Sequence, residues 1–251
     1  VLIEEITLQE DVAETKDLMA IANYVSRWML SRKNRETFDG FDMTLERIAY
    51  HMGKPIPAIQ TKSVKFLLFK AIPNYSDEPL RFVSNDPEMT GEREFGAYSP
   101  VPYHIININT KLLLQKKKNP ASTILHELQH ALDDLKSGGR ALLAVPYKQP
   151  KDDYQAYLKH PMEVNARFSQ ALWDLASNYD RVARSDVYSA IATNLEQHRL
   201  RSEDFENPKE YKRLITRAYK FLADVSQIID KREKPGFIQT VKNLIKKYLV
   251  R

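Results

Sequence analysis

Residues 122–134 read STILHELQHALDD, and within them His126, Glu127 and His130 form the pattern H-E-x-x-H. On a helix, residues four apart lie one turn above each other on one face. Both imidazoles can therefore reach one metal ion, and Glu127 beside them can face a metal-bound water. Zinc held by neutral nitrogen and carboxylate ligands, with one position open, brings the pKa of bound water towards about 7. A neighbouring carboxylate can then take that proton and pass it to a leaving amine, which is general acid–base catalysis. The alternative is two solvated histidines on an amphipathic helix.

Such a site needs a third protein ligand. Glu163, in YLKHPMEVNAR near the start of a later helix, is the first choice. A Glu in the first turn of a helix also suits the helix dipole without any metal. Asp134, four residues beyond His130 and on the same face, competes as ligand or as a carboxylate orienting a histidine; Asp133 lies slightly off that face. His160 is a further competitor, although its place just before Pro161 marks a helix start.

The elements that must position these residues follow from local signals. Asn119-Pro120 opens the motif helix, since Asn is a good N-cap and Pro suits the first helical position. The helix runs to Lys136 and stops at Gly138-Gly139. Leu125, Leu128, Leu132 and Leu135 make its apolar face. Pro161 opens another helix through about Leu175, and most of the remaining chain to Arg251 has a helical pattern. Upstream, Leu8–Leu30 and Asp42–Met52 read as helices, the second ended by Gly53. Ser63–Ala71, Leu80–Ser84 and Tyr103–Thr110 read as strands between turn-rich segments. Helices, a small sheet and helices again make an α+β protein. The expected division is 1–175, carrying the sheet and both site helices, and 176–251, a helical C-terminal region packed on the same unit.

Composition narrows the chemistry. The 251 residues include six His and no Cys, which removes disulfide scaffolds, thiolate metal sites and Cys nucleophiles. A transition metal must therefore use His and carboxylates. No apolar run approaches the roughly 20 residues of a membrane helix. The opening VLIEEITLQEDVAE lacks a basic region followed by an apolar one, so the default expectation is the cytoplasm. The net charge of +5 is local: from Arg201 onward thirteen Lys/Arg meet seven Asp/Glu. There, Gly236–Arg251 reads as an amphipathic helix with a solvated cationic face. No nucleic-acid fingerprint accompanies it, so no specific nucleic-acid partner is expected.

HELQHALDD with a preceding strand and a downstream Glu resembles the zincin metallopeptidases of the glutamate-third-ligand group. Paired with YLKHPMEVNAR, it is similar to small zincin domains encoded by bacteriophages and mobile elements. The resemblance covers about Val64 to Arg167. It implies one zinc ion held by His126, His130 and Glu163, with Glu127 as general base, acting on a protein or peptide substrate. It also admits a non-catalytic virion or mobile-element protein that keeps the fold, and virion association with it. Arg167 departs from the thermolysin pattern, which places an Asp four residues after the ligand Glu. Outer support is then expected from Asp133 or Asp134. Zincins bind extended peptides along an edge strand; Tyr103–Thr110 is the nearest upstream strand and reads equally as a plain core strand. Tyr154, Tyr157, Tyr147 and His104 are candidate donors to an oxyanion. The connection Arg140–Met162 is a candidate wall of the cleft.

Overall fold

The structure, a computed structural model, describes residues 2–31, 41–70, 79–84, 95–100, 104–138, 154–183 and 185–230. Two compact units divide the chain: Ala13–Ala166, and Val1–Val12 with Arg167–Arg251.

In the first unit, α1 (Leu2–Leu30) sends Leu18, Ile21, Ala22, Val25 and Met29 into the core. That spacing is the one an amphipathic helix requires. Trp28 packs edge-on against Phe41. The expected helix over Asp42–Met52 begins later than its sequence suggests. Asp42–Thr44 is strand β1, paired antiparallel with β2 (Arg81–Ser84). Thr44 then caps α2 (Leu45–Met52), which ends at Gly53 with φ of 60°, a left-handed conformation that glycine adopts without strain.

The segment expected as a strand at Ser63–Ala71 is instead helix α3 (Lys62–Phe69). Its buried residues are Val64, Leu67 and Leu68, spaced three and four apart as on a helix. The cap comes from a distance. Asp17 on α1 accepts from the main-chain N–H of Gln60 and Thr61 and from the Thr61 hydroxyl. A carboxylate at a helix N-terminus satisfies donors that lack an internal partner and favours the dipole. Glu14, one turn earlier, accepts from the Ser63 hydroxyl and the Lys136 ammonium group.

The sheet has the order β1-β2-β4-β3, with β3 at Gly96–Ser99 and β4 at Ile105–Ile108. β2 and β4 are parallel, and β3 and β4 antiparallel. Of the two roles open to the Tyr103–Thr110 strand, edge or plain core strand, the structure shows the core one: β4 is interior and buried on both faces, and β3 is the edge beside it. α4 (Thr110–Gln115) follows. The motif helix, α5 (Pro120–Lys136), has its expected bounds, with the Asn119 side chain accepting from Ala121 N–H and Gly138 at φ 63° after its end. α5 packs on β3, β4 and α3. Helix α6 (Tyr154–Lys159) precedes α7 (Pro161–Ser177).

In the second unit the described elements are helical: the remainder of α7, then α8 (Tyr179–Ala183), α9 (Val187–Gln197), a 3₁₀ turn at Ser202–Asp204 and α10 (Pro208–Asp230). Phe168, Leu172, Ile191, Leu195, Ala218 and Phe221 are buried there. The Arg217 guanidinium lies over the Phe168 ring. The Gly236–Arg251 helix expectation lies outside the described residues, as do Gly139 and Tyr147. The α+β expectation holds. No described helix is long and apolar enough to cross a membrane.

Candidate metal centre

His126 and His130 sit one turn apart on α5, their rings edge to face with centroids 4.6 Å apart. Their Nε2 atoms are 3.1 Å from each other. Glu163, in the first turn of α7, closes the group: Oε1 is 3.2 Å from His130 Nε2 and Oε2 is 3.5 Å from His126 Nε2. The three residues form a group that can hold a metal ion. A simple geometric test supports the fit. Tetrahedral zinc with ligand bonds of about 2.05 Å separates neighbouring ligand atoms by about 3.3 Å. The observed separations of 3.1, 3.2 and 3.5 Å bracket that value. Two neutral nitrogens and a carboxylate oxygen are also the donor set that zinc takes.

Burial shapes the electrostatics. Glu163 is 1% exposed. Burial pushes its carboxyl up, but hydrogen bonds to His126 and His130 prevail and hold it well below the usual carboxylate range. Burial lowers the His130 imidazole, while contact with Glu163 outweighs this and leaves it raised overall. The Glu127 carboxyl is buried beside the pair and is pushed up chiefly by desolvation, against the pull of both histidines and of the Tyr98 main-chain N–H. The motif side of α5 is thus covered as well as the leucine side, where Leu125, Leu128 and Leu132 are buried and Leu135 is half-buried.

The carboxylates beyond the motif separate in role. Asp133 accepts from Gln129 Nε2 at 2.8 Å and from Asn165 Nδ2 at 3.0 Å. It thereby ties α5 to the helix turn that carries Glu163. Asp134 is buried and accepts from the Tyr98 hydroxyl at 3.1 Å. His160 is buried, and its Nδ1 accepts from Met162 N–H, which makes it the cap of α7. Arg167 donates to the Arg199 carbonyl at 2.8 Å. Tyr154 and Tyr157 stack on each other on α6, with ring centroids 6.1 Å apart. His104, just before β4, is fully buried and hydrogen-bonded to the Tyr98 hydroxyl through Nδ1. Of the other histidines, His51 is exposed on α2 and His198 pairs with Asp174 at 2.7 Å.

Three contributors escape the sequence reading. Tyr98 and Gly96 lie on β3, and Asn165 lies on α7. Gly96 allows α5 to come close: a Cβ there would fall 2.7 Å from Thr123 Cγ2 and 3.2 Å from Glu127 Cγ. The only advance signal was the E-V-N-A-R string, which places Asn165 two residues after Glu163. Comparison of the chain with protein-family models, curated proteins and solved structures finds no match.

Proposed function

We propose that the protein is a zinc-dependent peptidase of the zincin type, with one zinc ion per chain held by His126, His130 and Glu163. The observation that carries the reading is the convergence of the three donor atoms at separations suited to tetrahedral zinc, with the Glu127 carboxylate buried beside them. Bound there, zinc would supply Lewis acidity, polarising a carbonyl and making water acidic near neutrality. The chain's own residues do the rest. Glu127, its proton affinity raised by burial, accepts a proton and returns it to the leaving amine. Edge strand β3 offers main-chain hydrogen bonds to an extended peptide. Tyr154 and Tyr157 are the candidates to donate to the oxyanion. Asp133 steadies Glu163 through Asn165.

The test is metal content with peptide cleavage. Purified wild type should hold one zinc per chain and cleave a mixed peptide library. Glu127→Gln should keep the zinc and lose cleavage by at least about a hundredfold, the lower end for a lost general base. Wild type without metal, after handling free of chelators, would refute the reading. Full turnover by Glu127→Gln would remove Glu127 as the base.

A further inference from the structure

We propose that the groove between α3 and the segment 54–61 is a docking site for an acidic peptide segment that carries apolar anchor side chains. The inference does not depend on metal binding.

The stretch stands out in the sequence. From Arg47 to Lys70 there are five Lys/Arg and no Asp or Glu. α3 turns Val64, Leu67 and Leu68 inward. Lys62, Lys65, Phe66, Phe69 and Lys70 follow the spacing i, i+3, i+4, i+7, i+8 and share the opposite face. A helix face that meets only water carries polar and charged residues. This one sets two phenylalanines among its lysines, and Phe66 is 40% exposed.

The segment 54–61 has neither helix nor strand. Its Ile56, Pro57 and Ile59 form one wall of a groove of about 520 Å³, and the α3 stripe forms the other. Ligand-binding clefts span roughly 300–1,000 Å³. The groove is also preformed. Pro55 and Pro57 lock φ on either side of Ile56. α1 fixes the segment at both ends. The Tyr24 hydroxyl donates to the Lys54 carbonyl at 2.6 Å, and Asp17 accepts from the main-chain N–H groups of Gln60 and Thr61. A receptor surface that is already ordered spares that part of the cost of binding.

Charge selects the occupant. Lys62, Lys65 and Lys70 are exposed and make no ion pair among the described residues. The carboxylates that meet the start of α3, Glu14 and Asp17, are buried and already accept hydrogen bonds. The three ammonium groups are spread along about 12 Å of the groove, at 1.5 Å of rise per residue. A single carboxylate headgroup would meet one of them, whereas a segment with several Asp/Glu meets all three. Lipid surfaces take up protruding apolar side chains, but Ile56, Ile59 and Phe69 are half-buried in the groove. Nucleic-acid bases stack on open aromatic faces, and here the wall opposite the phenylalanines is aliphatic. Apolar anchors seated between the walls, with carboxylates at the lysine rim, give complementarity of both shape and charge.

A random dodecapeptide phage library panned on the immobilised full chain tests this, with the triple variant Lys62→Glu, Lys65→Glu, Phe66→Ser as counter-selection. Clones retained by wild type alone should be rich in Asp/Glu and carry Phe, Leu, Ile or Met. A fluorescein-labelled synthetic copy of the leading clone, titrated by anisotropy, should bind at least about tenfold more weakly to Phe66→Ser, as for loss of an anchor. The pair Lys62→Glu, Lys65→Glu should weaken it by a similar factor, and added salt should weaken binding to wild type. All three positions are exposed, so the thermal midpoints of the variants should stay at the wild-type value. The inference is overturned by the absence of clones specific to wild type, by clones without acidic residues, or by peptide affinity indifferent to Phe66→Ser. It is equally overturned if the variants abolish binding of phosphatidylserine vesicles or a dodecamer of oligo(dT) that the selected peptide fails to displace. None of these outcomes bears on the metal centre.

Discussion

Gly96→Ala tests how closely the motif helix must sit on its strand. The added methyl would lie 2.7 Å from Thr123 Cγ2, and 3.2 Å from both the Asn107 carbonyl oxygen and Glu127 Cγ. Carbon atoms pack best at about 3.5–4.0 Å. The contact with Thr123 is therefore short by roughly 1 Å, and α5 or β3 has to move. Neither can move freely, because α5 is also packed on β4 and α3, and β3 is bonded to β4. Overpacking of this kind costs about 1–3 kcal/mol. Against it stands a gain of about 0.4–1 kcal/mol, because alanine stiffens the unfolded chain. The net expectation is a loss of about 1–2 kcal/mol, or a melting temperature lower by roughly 2–8 °C for a chain of this size. Urea and thermal unfolding would measure it. Thr123→Ser deletes the Cγ2 methyl that meets the new Cβ most closely, so Gly96→Ala should cost less in that background, where the two 3.2 Å contacts remain. Retreat of α5 also carries Glu127 away from Tyr98, so peptide cleavage should fall by more than the stability loss alone implies. The reasoning is refuted if Gly96→Ala is as stable as wild type, or if its cost is unchanged in the Thr123→Ser background.

Removing the third ligand should be more severe than removing an outer contact. Glu163→Ala is expected to weaken zinc binding by more than the roughly 100-fold seen at outer positions; unchanged affinity in a chelator titration would transfer the role to another residue. A pH effect on stability follows from His104. Burial lowers its pKa from 6.5 to about 4, partly offset by the Leu67 main chain. The unfolded chain therefore binds the proton first as pH falls. The contribution is present above pH 6.5 and is lost on acidification towards about 4, a change of roughly 3 kcal/mol. Unfolding free energy measured across that range should show the slope, and His104→Asn, a residue that tolerates positive φ, should flatten it; an unchanged slope would assign the effect elsewhere.

Legibility in the sequence followed the range of the forces involved. α5 was readable to the residue because its signals are local: Asn119-Pro120 at the start, leucines at helical spacing and Gly138 at the end. Glu163 was within reach because Pro161 marks its helix and few donors compete in a chain without cysteine. α3 was misread because its composition favours strands, while its start depends on Asp17, more than forty residues earlier. β1 and β3 are three and four residues long, and the four residues of β3 are all partly exposed, so no alternation marks that strand. Strand order placed β3 rather than β4 at the edge, and order depends on pairings across the whole sheet. Tyr98 was hidden for the same reason. Its partners, His104 and Asp134, lie on two other elements and meet it only once the sheet and α5 have assembled.

The two buried carboxylates of α1 have a consequence for where this chain can be shortened. Glu14 and Asp17 together serve five donors, on Gln60, Thr61, Ser63 and Lys136. A version beginning after residue 17 would delete none of the site residues, yet it would strip the acceptors from the start of α3 and from the last turn of α5. Loss of a helix cap alone costs about 1 kcal/mol. A minimal fragment drawn around the motif would thus lack its foundation. The practical left-hand limit of the unit that carries the motif is set by Glu14, not by the first strand of the sheet.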